Sequence, residues 1–209
     1  LEGDGAFICQ NSWGDNFGEN GFFYISYYDT NIGTHNVVYT DIENTDNYDH
    51  IYQSDLCGWV GQLGYNKDSI YGANVFTAEG NETLKAASFY ATGKDSQYEL
   101  YVVRQFEDET SLEKMIPVAS GKLGNAGYYT VDFNQGIEVD AGERYAVVLY
   151  IITPGSVHPM AIEYAADEAT ENVDLDDGES YISANGSKWV SVDTVEKSNL
   201  CIKAFSDNR

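Results

Sequence analysis

The order of apolar and polar positions predicts short β-strands at close intervals from about residue 68 to the end of the chain. Residues Gln97–Val102 alternate polar and apolar side chains, as in a strand with one face in a core and one in water. Residues Tyr145–Ile152 are almost all apolar, which predicts a strand buried on both faces. The nine predicted strands are Ile70–Ala78, Thr83–Thr92, Gln97–Phe106, Tyr128–Phe133, Tyr145–Thr153, Met160–Tyr164, Ser180–Ala184, Trp189–Val192 and Leu200–Phe205.

Turn residues separate these predicted strands. Asn185 and Gly186 stand between Tyr181–Ser183 and Trp189–Val190, which is typical of a tight hairpin. Only Thr110–Met115 fits a helical turn. Short strands without an amphipathic helix predict an antiparallel β-sandwich of jelly-roll type for this part of the chain.

The beginning of the chain has a different pattern. Ala6–Cys9 is a short apolar run, Phe22–Tyr28 is an aromatic and β-prone run, and three glycines between them permit a tight reversal. We therefore predict a hairpin-like strand pair with a long connecting loop. Val37–Ile42 is predicted to form a further short strand.

The connecting loop carries an Asn and a Trp directly after the first predicted strand. The side-chain oxygen of Asn11 can accept the N–H of a catalytic imidazole and so fix its tautomer and direction. An indole at Trp13 can shield that hydrogen bond from water. Asn11 and Trp13 are therefore the candidate catalytic residues of this chain.

At these residues the sequence resembles the papain-like cysteine peptidases. Asn11–Gly14 matches the family's Asn-Ser-Trp-Gly motif, and Gly18–Phe22 matches the Gly-Glu-Asn-Gly-aromatic run that follows it at the same separation. The resemblance covers about the first fifty residues and implies the C-terminal strands of a peptidase β-barrel. It also implies that Asn11 is the third member of a Cys-His-Asn triad and that Trp13 shields its contact with the His.

The other two triad members are not found where the resemblance would put them. In that family the Cys and the His both precede the Asn, whereas His35, His50 and His158 all follow Asn11. Cys9 lies inside the apolar run and is expected to be a buried small hydrophobe, not a nucleophile. We therefore expect the chain to be inactive alone. Its implied partner is an N-terminal peptidase segment with the Cys and His, and its implied substrate is a peptide or protein.

The β-rich part resembles the lectin-like β-sandwich domain that follows the peptidase in some bacterial papain-like enzymes. The residues that carry this resemblance are Asn74–Ala78, Glu82–Tyr90, Asp140–Val148 and Gly186–Trp189. These are strand and turn patterns, so they support the fold and specify no sugar site. The resemblance implies an extracellular or cell-surface location in a bacterium.

Together the two resemblances predict a mainly β chain of three parts. Residues 1–50 would be the C-terminal segment of a peptidase domain, 51–67 an aromatic and acidic bridging segment, and 68–209 the lectin-like sandwich. Flexible linkers are seldom so aromatic, so we expect the bridging segment to lie against its neighbours. Trp59 in this segment is expected to be largely buried.

Composition limits the choice of partners. The 209 residues include 34 acidic and 11 basic side chains, which give a net charge of −23. Such a charge disfavours binding to nucleic acid or to anionic membranes. No apolar run is long enough to predict a membrane span. The three cysteines allow at most one disulfide, and all three are expected to be reduced.

The sequence offers weaker candidates for ligand binding on the sandwich. Tyr128, Tyr129, Tyr181 and Trp189 could stack on a glycan, but strand alternation would bury about half of them. The acidic run Asp174–Glu179 resembles a calcium loop without the full EF-hand spacing, so a solvated acidic turn is favoured. We predict no metal and no cofactor.

Two functions therefore remain open. In the first, the chain is the C-terminal portion of a cysteine peptidase with a lectin-like domain that positions the enzyme or its substrate. In the second, it is a non-catalytic extracellular module that binds glycan or protein and carries a peptidase remnant. The peptidase hypothesis predicts that the strands of the first fifty residues do not form a complete sheet by themselves. They should pair with an absent segment or with the sandwich, because unpaired strand edges are costly.

Overall fold

The computed structural model describes residues 4–33, 36–40, 42–176, 179–192 and 196–209. The chain divides into two compact units, Leu1–Asn44 and Thr45–Arg209, which we call the N-terminal and C-terminal units. No helix in the described ranges has the length and apolar character needed to cross a membrane.

The N-terminal unit contains one antiparallel strand pair. Strand β1 (Ala6–Gln10) pairs with β2 (Phe22–Ser26), from Ala6 opposite Ser26 to Gln10 opposite Phe22. The predicted hairpin is thereby confirmed. The strand predicted over Val37–Ile42 is wrong: the described residues 36–40 and 42 have no regular secondary structure, and their apolar side chains are exposed. β-Prone residues form a strand only where a partner strand is available.

The C-terminal unit is built from antiparallel strands throughout its described residues. They are β3 (His50–Tyr52), β4 (Gly61–Leu63), β5 (Ser69–Thr77), β6 (Glu82–Ala91), β7 (Ser96–Val103), β8 (Ile116–Leu123), β9 (Gly127–Val139), β10 (Arg144–Ile152), β11 (Met160–Glu163), β12 (Ser180–Ser183), β13 (Val190–Ser191), β14 (Asn199–Leu200) and β15 (Ile202–Asn208). A short 3₁₀ helix, Glu109–Glu113, overlaps the predicted helical turn and is capped by Asp108.

Two sheets form the layers of a sandwich. The larger has the order β13-β12-β5-β10-β7-β8, and the other has the order β3-β15-β6-β9. A small third sheet has the order β14-β11-β4. The side chains of both layers meet in one apolar core that includes Phe89, Leu100, Leu149 and Ile202. The predicted fold class, an antiparallel β-sandwich, is confirmed.

The chain changes sheet where the sequence predicted one continuous last strand. β14 pairs with β11, and after Cys201 the chain continues as β15, which pairs with β6 and β3. The predicted hairpin around Asn185 and Gly186 is confirmed, because β12 pairs with β13 through Tyr181 opposite Ser191.

The segment 51–67 contributes two short strands to the C-terminal unit. β3 pairs with β15, and β4 pairs with β11. Trp59, which lies between them, was expected to be largely buried; the structure leaves it partly exposed, with its ring 5.7 Å from that of Tyr90. It packs against Tyr90 at the surface of the sandwich.

Candidate functional site

The N-terminal unit places Asn11 directly after the last residue of β1. The Asn11 amide donates to the carbonyl of Gly21 at 2.9 Å, which extends the strand pairing by one bond. The Asn11 side-chain oxygen accepts the Trp13 amide N–H at 2.8 Å, and its Nδ2 donates to the carbonyl of Phe17 at 3.4 Å. The side chain is thus held at both ends by the loop that it enters.

Glycine makes this loop possible. Gly18 has φ +68°, and a Cβ built there would lie 2.1 Å from the carbonyl oxygen of Phe22. No larger residue fits this position without moving the backbone. The close approach is part of a tight turn in which Glu19 and Phe22 exchange backbone hydrogen bonds of 2.7 and 3.1 Å.

Three aromatic rings line the loop beside Asn11. Trp13 meets Phe17 edge to face at 5.2 Å, and Phe17 meets Phe23 in the same way at 5.6 Å. These are favourable geometries for aromatic pairs. The indole of Trp13 is nevertheless 76% exposed, so one of its faces is free to cover another group.

The arrangement can orient a hydrogen-bond donor. An amide oxygen has two lone pairs, so Asn11 Oδ1 can accept an imidazole N–H beside the bond from Trp13. The described residues of the N-terminal unit include no histidine, and His35 lies outside them. Cys9, expected to be buried, is half-buried opposite Phe23, because β2 is the one strand that pairs with β1 among the described residues.

Both faces of this strand pair are open within the described part of the unit. Ile8 and Tyr24 lie opposite each other and are 68% and 59% exposed, while Phe7 and Phe22 are also exposed. An isolated two-stranded sheet is marginally stable at best. The apolar side chains on its two faces are therefore candidates for contact with further protein.

The other two cysteines are poor nucleophiles. Burial raises the pKa of the Cys201 thiol strongly, and the Asp55 carboxylate beside it raises the pKa further. Desolvation and the Glu163 carboxylate raise the pKa of Cys57. A high thiol pKa leaves little thiolate at neutral pH, and the thiolate is the reactive form. All three cysteines are free thiols.

The acidic run 174–179 is held at its two ends by different contacts. Asp174 accepts the Asp176 amide at 3.0 Å in a local turn, and Glu179 pairs with Arg144. Asp177 and Gly178 lie outside the described residues. Within the ranges that the structure describes, no group of three or more His, Cys, Asp or Glu is placed to hold a metal ion.

The four aromatic residues considered for glycan binding do not meet at one site. Tyr128 and Tyr129 belong to β9 of the four-stranded sheet, whereas Tyr181 and Trp189 lie at the β12–β13 edge of the other sheet. Tyr128 donates to Ser88 Oγ at 2.6 Å. The hydroxyl of Tyr181 donates to Glu179 at 2.8 Å.

Sequence reasoning missed a second group of aromatic side chains on the six-stranded sheet. The rings of Tyr71 and Tyr150 stack with centroids 4.2 Å apart on the outer face of this sheet, near Glu99. Tyr150 belongs to the apolar run 145–152, which predicted a strand buried on both faces, so a surface position for its ring was not predicted. The alternation in Gln97–Val102 was the available signal for a polar outer face beside it.

Comparisons with known proteins agree with this architecture. The family model described as the lectin-like domain matches residues 51–206. No curated protein sequence matches the chain.

Two solved structures match nearly the whole chain. One is a cysteine-to-alanine variant of the clostridial cysteine protease Cwp84 after propeptide cleavage, with 25% identity and a TM-score of 0.79 over 98% of this chain and 52% of that one. The other contains the cysteine protease and lectin-like domains of Cwp84, a surface layer associated protein of Clostridium difficile. It has 22% identity and a TM-score of 0.74 over 98% of this chain and 46% of that one. The chain therefore spans about half the length of these structures, and the resemblance drawn from its sequence is confirmed.

Proposed function

This chain belongs to the lectin-like domain family, and from that premise we propose that it is the C-terminal portion of a papain-like cysteine peptidase with its lectin-like domain. Asn11 orients a His supplied by a preceding peptidase segment, and Trp13 shields their hydrogen bond. A Cys thiolate from the same segment attacks the carbonyl of a peptide or protein substrate. The proposed division is a peptidase part over residues 1–50, a bridging segment over 51–67 and a lectin-like domain over 68–209.

The observation that carries this proposal is the state of the Asn11 side chain. It is fixed by Trp13 and Phe17 from within its own loop, yet its oxygen retains capacity for one more donor. A purely structural Asx turn would not need an exposed indole beside it. The open faces of β1 and β2 further support a missing protein partner for this unit.

The cell surface is the location that best fits the proposal. One matched structure is described as a surface layer associated protein. A lectin-like domain attached to a peptidase would hold the enzyme close to surface polymers or to protein substrates. We therefore propose an extracellular or surface-bound bacterial peptidase in which this domain positions the catalytic part.

The test uses the full protein that joins this chain to its peptidase segment. Asn11→Ala should lower kcat/KM on a peptide substrate by about tenfold to a hundredfold, since the imidazole loses its orientation. The pH dependence of thiol alkylation should also shift, because a poorly oriented imidazole stabilises the thiolate less. Asn16→Ala, at an exposed position of the same loop, is the matched control and should leave both measurements unchanged.

The alternative function, a binding module with a peptidase remnant, makes the opposite prediction. The full protein would then have no thiol that reacts with a peptidase-directed probe. Equal activity of the Asn11→Ala and Asn16→Ala proteins would also reject the catalytic role of Asn11.

A further inference from the structure

The outer face of the six-stranded sheet carries a continuous row of side chains across five strands. Tyr150 of β10 lies opposite Tyr71 of β5 on one side and Glu99 of β7 on the other. The row continues to Ser183 of β12 beyond Tyr71 and to Ser120 of β8 beyond Glu99. Residues directly opposite each other in antiparallel strands project to the same face.

A second row lies two residues further along each strand. Ile152 of β10 lies opposite Ser69 and Gln97, and Gln97 lies opposite Lys122. The two rows together place an aromatic pair and one aliphatic side chain next to an amide, a carboxylate and an ammonium group. Such a mixture is unlike the interior of the sandwich, where the same strands contribute apolar residues.

A cleft of about 280 Å³ lies at these two rows. Its lining includes Gln97, Glu99, Ser120, Lys122, Tyr150 and Ile152. Its volume is close to the lower end of the range for small-ligand sites, about 300 Å³. The site is therefore large enough for a sugar unit of an extended chain, with neighbouring units left in solvent.

We propose that this cleft binds an uncharged glycan, with a pyranose ring against Tyr150 and its hydroxyl groups on Glu99 and Gln97. A sugar ring offers an apolar C–H face and a polar edge, which suits an aromatic ring flanked by hydrogen-bonding groups. One oxygen of the Glu99 carboxylate accepts the Tyr101 hydroxyl, and the other oxygen can accept a sugar hydroxyl. Lys122 and Ser120 provide donors for the ring and hydroxyl oxygens.

The position of Tyr71 explains why Tyr150 would be the contact residue. Tyr71 is covered by Tyr150 on one side, and a Cβ added to Gly186 would lie 3.2 Å from its ring, so the hairpin turn closes the other side. Trp189 also meets Tyr71 edge to face at 6.3 Å. Tyr71 thus supports Tyr150, and the ring of Tyr150 borders the cleft.

The charge of the molecule selects among glycans. The net charge is −23, and Glu99 lies in the cleft beside a single cation, Lys122. Sulfated, phosphorylated or uronic acid polymers would be repelled by this field. An uncharged glycan is not repelled in this way. The inference concerns only the ligand of the lectin-like domain, so it holds whether or not Asn11 acts in a peptidase.

The experiment uses the 209-residue chain. An array of neutral and anionic oligosaccharides is followed by calorimetric titration with soluble neutral probes, including chitohexaose, mannohexaose and xylohexaose. We expect binding to at least one neutral oligosaccharide on the array and none to hyaluronan or heparin fragments. Tyr150→Ala should weaken binding at least about tenfold, as is usual for the loss of an aromatic anchor. Glu99→Gln should weaken it about tenfold, the effect of losing charged hydrogen bonds.

Controls separate a binding role from a structural one. Tyr150→Phe keeps the ring and should keep most of the affinity, and Tyr128→Ala removes an exposed tyrosine from the other sheet without affecting binding. If Tyr150→Ala lowers the melting temperature so far that the sheet itself is disturbed, the affinity of the Glu99→Gln protein tests whether the cleft binds the glycan. The proposal is overturned if no neutral oligosaccharide binds. It is also overturned if affinity survives both Tyr150→Ala and Glu99→Gln, or is lost with Tyr128→Ala instead.

Discussion

One buried ion pair fixes the segment after β3 to the sandwich. Lys203 Nζ donates to Asp55 Oδ1 at 2.7 Å, and the two side chains are 12% and 0% exposed. Burial raises the pKa of the Asp55 carboxyl, while the Lys203 ammonium acts in the opposite direction. The Lys203 ammonium therefore offsets the free-energy cost of burying the charged Asp55 carboxylate.

Removal of Lys203 should be strongly destabilising. Lys203→Ala would leave Asp55 buried without its cation, and we expect a loss of about 3–5 kcal/mol in the free energy of unfolding by urea. Lys85→Ala is the matched control, because Lys85 pairs with Asp207 at 3.7 Å and the two side chains are 46% and 40% exposed. It should cost less than about 1 kcal/mol. Equal losses in the two variants would contradict this account of the pair.

At the scale of single elements, β3 is a three-residue edge strand with a titratable side chain. His50 Nε2 lies 3.0 Å from Asn208 Oδ1, and Nδ1 lies 3.4 Å from Glu79. The hydrogen bond to Asn208 raises the pKa of His50 most; burial opposes this, and the charges of Glu82, Glu79 and Asp49 add to the rise. Protonation of the His50 ring therefore stabilises the pairing of β3 in its sheet.

The sign of the pH effect follows from this raised pKa. The contribution of His50 to stability is complete below its ordinary pKa and is lost as the pH rises through its folded-state pKa. We expect the unfolding free energy to fall as the pH rises above about 6.5, and His50→Gln to reduce that fall. Direct titration of His50 by NMR gives a second measurement. An unshifted or lowered pKa would refute the role assigned to Asn208.

The strand pair β1–β2 should be the least protected sheet of the chain. It has two strands and exposed apolar side chains on both faces, whereas β5 and β10 are central and buried. In the 209-residue chain we expect the amides of β1 and β2 to exchange with solvent orders of magnitude faster than those of β10. Slow exchange in β1 and β2 would mean that the N-terminal unit is stable without a partner, against the proposed function.

The strands that the sequence predicted correctly are those with a clear apolar pattern. β10 and β5 were evident because their core positions repeat over eight or nine residues. β8 was missed because it contains Pro117, Gly121 and Lys122, which are rare in central strands; as an edge strand it tolerates them. β3 and β4 have only three residues each, too few for a periodic pattern.

The candidate site was predictable only in part, because sequence patterns record local features and not which strands become neighbours. Asn11 and Trp13 could be found because their loop has an unusual local sequence. Tyr71, Glu99 and Tyr150 come together through strand register, and no local pattern records which strands become neighbours. Tyr150 in particular is preceded by core residues, so its partly exposed ring was not expected.

At the scale of the whole molecule, charge should limit stability. A net charge of −23 on 209 residues implies mutual repulsion among carboxylates in the compact state. Screening by NaCl should therefore raise the melting temperature by about 2–4 °C, equivalent to roughly 1 kcal/mol. Potassium chloride at the same ionic strength is the control and should act equally. A lower melting temperature in salt would show that attractive ion pairs dominate.

The basic residues are distributed unevenly along the chain. The first Lys or Arg is Lys67, so the N-terminal unit has acidic side chains and no cation from Lys or Arg. Its exposed residues 36–40 have no regular secondary structure and include Tyr39. Trypsin therefore has no cleavage site in that segment, whereas chymotrypsin can cut after Tyr39. Brief digestion with chymotrypsin should release the lectin-like domain intact, as a fragment ready for crystallisation and ligand screening, while trypsin at the same dose should not.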